Sequence, residues 1–219
     1  MTTRDRAGDD EVSALIAAGR DREAALRGVA RSSRPPGGTM DPINQLEQLM
    51  PTLGALVSTL TPEDLAAETP CSEYTVQGVL EHMVGGGAAF AAGYRGDEPH
   101  EFDTTDILPA WEQAMTELAE AVMAPGALDQ TIAAPFGEVS GDTFARFVAL
   151  DGLVHGWDIA TATGKPYAPS DDLVAAVDGF AHEALDPLRD GDTFAAAVAA
   201  PADASPITRL AAYTGRQVR

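Results

Sequence analysis

Four long segments with a helical spacing of apolar residues dominate the chain from residue 40 onward, and most carry recognisable start or stop residues. Residues 41–60, DPINQLEQLMPTLGALVSTL, place Asp41 as an N-cap before Pro42. A proline's missing N–H costs nothing at the first helical position. Residues 74–96 read as a second helix closed by Gly96, residues 105–124 as a third, and residues 143–164 as a fourth closed by Gly164. A fifth covers 170–188, with Ser170 as N-cap and acidic residues in its first turn, and a last helix starts near residue 205. The connection 61–73 has room for one short helical turn. Residues 129–142 alternate and turn at Phe136-Gly137, as a small hairpin or a loop would. Four principal helices with short to medium connections predict a mainly all-α fold. The expected form is a four-helix bundle with a small β or irregular excursion and extra C-terminal helices.

The 219 residues are 45% hydrophobic, enough for a substantial core. Residues 1–39 differ from the rest: a short apolar patch among mixed charges leads into RSSRPPGGT, a Pro/Gly/Ser linker. The division expected is a flexible extension over 1–39 and a helical domain over 40–219. The net charge of −20 is uneven, because residues 40–219 hold only 7 of the 14 Lys and Arg against 28 of the 34 Asp and Glu. Such a surface repels phosphate backbones, which argues against a nucleic-acid partner. No apolar run approaches the roughly 20 residues of a bilayer-spanning helix. The N-terminus lacks a basic start followed by an apolar run, so neither a signal peptide nor a membrane partner is expected. One cysteine, Cys71, precludes an internal disulfide and fits a cytoplasmic location.

The fourth helix poses a question. At 100° per residue, Phe144, Val148, Asp151, His155, Ile159 and Ala162 share one stripe, joined by Asp158, while Arg146 points away. An apolar stripe has no use for an unpaired carboxylate. On the second helix His82 sits about 120° from the ridge of Val76, Val79, Leu80, Met83 and Phe90, on a face shared with Gly78, Gly86, Ala89 and Gly93. Glycines there suggest a close backbone approach or a cavity.

Asp151 and His155 at i and i+4 lie about 6 Å apart along the axis and can converge on one ion with a histidine from a facing helix. Two imidazoles and one carboxylate leave coordination positions open, as a catalytic site needs, and suit Zn(II), Ni(II), Mn(II) or Fe(II). The competing reading is an ordinary hydrogen-bonded Asp–His pair in a core. Asp158 is either the carboxylate ligand in place of Asp151 or an outer acceptor that orients His155. His100 and His182 are expected to face solvent. Cys71 is expected to be a small residue at the helix entry, too far from His82 to share an ion.

The segments TPCSEYTVQGVLEHMVGG (69–86) and LDGLVHGWDIATATG (150–164), with a terminal GR at 215–216, resemble the mycothiol-dependent maleylpyruvate isomerase N-terminal-type domains of the DinB-like superfamily, common in actinobacteria. The resemblance implies a DinB-like four-helix bundle holding one divalent metal, zinc foremost, through His82, Asp151 and His155. The isomerase type has Glu where this chain has Asp151. The activity implied is a thiol-dependent transferase or isomerase acting on a small electrophile, with mycothiol as co-substrate and Arg216 as a candidate for an anionic substrate group. A metal-dependent hydrolase of small esters or lactones and a non-catalytic metal-binding or oligomerising module are the alternatives. The expected assembly is a monomer or homodimer.

Overall fold

A computed structural model describes residues 40–72, 74–134, 137–189 and 195–218; the extension expected over 1–39 lies outside the described residues. Helix α1 (Pro42–Val57) begins where its sequence says it should. Asp41 is extended, its side chain accepts from the Asn44 N–H, and Pro42 follows. The short α2 (Pro62–Leu65) is nucleated by a capping box: the Thr61 side chain accepts from the Asp64 N–H, and the Asp64 carboxylate accepts from the Thr61 N–H. Helix α3 (Val76–Arg95) starts two residues later than its apolar pattern suggests. The Tyr74 N–H donates to the Cys71 carbonyl, which holds Tyr74 in a turn. Thr75 then caps the helix on the Gly78 N–H, and Gly96 closes it in the left-handed conformation at φ 70°.

Helix α4 covers Ile107–Val122. Strands β1 (Thr131–Ala134) and β2 (Gly137–Ser140) form an antiparallel pair, which decides for the hairpin. Its buried side is Ile132 opposite Val139. Ser140 ends β2 and caps α5 (Gly141–Thr163) by accepting from the Thr143 N–H, so this helix starts two residues early. Gly164 terminates it at φ 67°. Helix α6 (Asp171–Ala184) is shorter than expected because the chain tightens into a 3-10 turn, Asp186–Leu188, around Pro187. Helix α7 (Pro206–Tyr213) is capped by Ser205.

The bundle is built by α1, α3, α4 and α5. Helix α3 packs on α4 and α5, and α1 packs on the same two, which puts α1 and α3 across one diagonal. Helices α6 and α7 cover the remaining side of α5. One apolar stripe therefore does not describe α5: from Thr143 to Ile159, every residue except Arg146 and Asp151 is buried. A helix covered on all sides needs apolar residues all round. Half-buried Arg146 pairs with Asp142 at 2.8 Å and reaches the Met40 carbonyl at 3.4 Å. Leu49 and Leu53 of α1, Leu80 of α3 and Leu153 of α5 are essentially sealed from solvent. Each contributes about 1.5–3 kcal/mol by burial. No helix among the described residues is long and apolar enough to cross a membrane.

Candidate metal centre

Helix α3 carries His82 and α5 carries Asp151 and His155, and the packing of the two helices brings one donor atom from each within 4.8 Å of the others. His82 Nε2 and His155 Nε2 both lie 3.5 Å from Asp151 Oδ1. The two imidazole rings meet edge to face with centroids 4.9 Å apart. Donors held about 2.1 Å from one ion at a tetrahedral angle lie about 3.4 Å from each other. The two separations to Asp151 fit that requirement. The cluster is open on one side: the side chains of His82 and Asp151 are 39% and 33% exposed, that of His155 only 6%.

The far side of His155 is closed and polar. Its Nδ1 lies 3.1 Å from Oδ2 of Asp158, which is wholly buried. Arg216, from the turn after α7, donates to the same oxygen through Nη2 at 3.1 Å and Nε at 3.3 Å. With Nδ1–H directed at Asp158, the lone pair of Nε2 faces the Asp151 side, the orientation a metal-binding imidazole needs. Asp158 Oδ1 is buried without a hydrogen-bond partner among the described residues.

Electrostatics follow from this layout. Burial works against the Asp151 carboxylate, but His155 and then His82 outweigh it and hold its carboxyl well below the usual range. Burial likewise works against the His155 imidazolium. The Asp151 charge and hydrogen bonds to Asp151 and Asp158 win over it, with Arg216 opposing, and push His155 up to about 9. Without a metal, the cluster is a negative carboxylate compensated by protonated imidazole.

The other residues singled out in the sequence fall elsewhere. His100 pairs with Glu117 and His182 with Asp178, both exposed. Cys71 is half-buried in the turn before α3, where its carbonyl accepts from Thr69 and Tyr74. The glycine face of α3 divides by role. A Cβ on Gly86 would meet nothing within 4 Å, whereas Gly78 receives the Tyr74 ring and Gly93 abuts Phe144. That placement lays Tyr74 near His82, with ring centroids 5.6 Å apart. Neither this contact nor the Arg216–Asp158 pair was anticipated from sequence. Fifty-eight positions separate the latter two, and no local pattern links them.

The family described as the mycothiol maleylpyruvate isomerase N-terminal domain matches residues 46–160. The chain belongs to this family. The matched span takes in His82, Asp151, His155 and Asp158 and ends before Arg216. Two proteins of Mycobacterium tuberculosis, from strains CDC 1551 / Oshkosh and ATCC 25618 / H37Rv and both named as uncharacterized, are each 33% identical over 184 residues, covering 82% of this chain and 100% of theirs. No solved structure matches the chain at a significant level.

Proposed function

We propose that this protein holds one divalent metal through His82, Asp151 and His155 and activates a low-molecular-weight thiol, mycothiol or a close analogue, for attack on a small electrophilic substrate, as a transferase or isomerase. The observation that carries the reading is the convergence of three donor atoms within 4.8 Å, in a half-open cluster, in a member of this family. Two imidazoles and a carboxylate favour zinc and also accommodate nickel, manganese or iron. A divalent ion bound there supplies a Lewis acid that stabilises a thiol as thiolate at neutral pH.

The chain's own groups do the rest. His155 is fixed in orientation by Asp158, and Asp158 is neutralised by Arg216. His82, on the solvent side, is flanked by the Tyr74 ring. The exposed edge of the cluster leaves access for a thiol and a second reactant.

Elemental analysis of protein purified without chelators or affinity tags is expected to give close to one metal per chain. Calorimetric titration of that protein with mycothiol is expected to show saturable binding that disappears when the metal is stripped. Absence of stoichiometric metal, or a metal-loaded protein that does not bind the thiol, overturns the reading. Turnover of esters or lactones without any thiol would replace it with hydrolysis.

A further inference from the structure

A narrow cleft opens beside Asp151 among the four bundle helices. It is bounded by Met50 and Leu53 of α1, Met83 and Phe90 of α3, Met115 of α4 and Val148 of α5. Its free space is small, about 20 Å³, room for about one water, so a larger guest enters only by displacing the lining side chains. Gly87 and Gly152 also line it, and Met115 leans over the first: a Cβ on Gly87 would lie 2.6 Å from Met115 Cε. Thioether side chains adapt their shape at little cost, so the three methionines can part for a slender guest.

The lining carries a single charged group, the Asp151 carboxylate. The cations that could offset an anionic guest are engaged elsewhere. Of the six described Lys and Arg side chains, five are in ion pairs: Arg95 with Glu117, Arg146 with Asp142, Lys165 with Asp64, Arg189 with Asp186 and Arg216 with Asp158. The sixth, Arg209, donates to the Ala204 carbonyl. None of the six borders the cleft. An anion entering it would be desolvated among methionines and leucines beside the Asp151 carboxylate, whose imidazole counter-charges are not part of the lining, and such a burial is costly.

We infer that the cleft receives an uncharged, apolar segment of the electrophile, so that the substrates are neutral molecules with a short aliphatic or aromatic group rather than small dianions. The family description names maleylpyruvate, a dicarboxylate. One carboxylate could be met by a metal at the cluster, but a second has no counter-charge in this cleft. Placing the electrophile here rests on the metal-centre reading above; the cleft's preference for neutral guests does not.

The test is a ligand-observed NMR titration of the full chain, metal-loaded and metal-free, with 2-hexanone and with maleate. The expected result is at least tenfold tighter binding of 2-hexanone than of maleate in the metal-free form, where no ion holds a carboxylate, and binding of 2-hexanone in both forms. Filling the cleft by Val148→Phe should weaken 2-hexanone at least fivefold; Met50→Phe, at a half-buried position, serves the same purpose if the first variant does not fold. Maleate binding the metal-free form as tightly as 2-hexanone, no binding of 2-hexanone, or binding unaffected by a folded cleft-filling variant overturns the inference. Failure of the metal reading registers separately, as missing metal, and leaves the metal-free titration intact.

Discussion

Asp151 and Asp158 flank the same imidazole, one beside each ring nitrogen of His155, yet they meet opposite surroundings. Asp158 is wholly buried, and the chain supplies its counter-charge through two guanidinium contacts from Arg216. Asp151 is a third exposed and faces two imidazole nitrogens at 3.5 Å, with no Lys or Arg paired to it among the described residues. A guanidinium is a permanent cation, whereas an imidazole is a cation only when protonated. One carboxylate is therefore settled by folding. The other is balanced by protons that a metal can displace.

The comparison breaks most completely at the histidines. His82→Ala and His155→Ala are each expected to abolish stoichiometric metal, read by elemental analysis, while the helical circular dichroism persists. Retention of metal in both variants would reduce the Asp151 side to a hydrogen-bonded pair. The Asp158 side responds first in stability. Arg216→Met leaves the buried Asp158 carboxylate with His155 Nδ1 as its remaining partner and is expected to cost up to about 3 kcal/mol in chemical denaturation. Asp158→Asn in the same background should recover part of that loss, because the buried charge that has lost its guanidinium is gone. Asp158→Asn alone is expected to weaken metal binding about 10–100-fold through the loss of His155 orientation. If it removes the metal entirely while Asp151→Asn does not, the two carboxylates have exchanged roles.

How much of this was legible in the sequence depends on how local the cause is. Asp41, Ser170, Gly96 and Gly164 act on the turn next to them, and each cap stands where the sequence puts it. The boundaries that moved did so for reasons outside the apolar pattern: a turn holding Tyr74, a cap on Ser140, a proline at 187. The convergence of His82 with Asp151 and His155 could be anticipated because helical periodicity gives each residue a face, and two packed helices present those faces to each other. What covers a face is not written locally. Periodicity alone gives α5 a single stripe, yet it is buried nearly all round because α1, α3, α6 and α7 surround it. The Arg216–Asp158 pair and the cleft between four helices are likewise products of tertiary packing.

The mildest test separates the two carboxylates by pH. In the metal-free protein, His155 is raised from 6.5 to about 9, with the Asp151 charge as the chief favourable contribution against burial. A group whose pKa rises on folding contributes stability that is complete below its unfolded value and is lost as pH climbs through its folded one. Metal-free protein should therefore lose denaturation stability between about pH 6.5 and 9. Metal affinity should move the other way. An ion must displace the proton on His155, so affinity is expected to rise about tenfold per pH unit over that window and to level off above pH 9. Asp151, held well below the usual carboxylate range, takes up no proton there and adds nothing to either slope. Competition titrations with a chelator of known affinity, run alongside denaturation of the stripped protein, read both trends. Opposite slopes mean that the proton and the metal occupy the same place beside Asp151. Parallel slopes, or a flat metal affinity across this window, would mean that His155 keeps its proton and that its only fixed partner is Asp158.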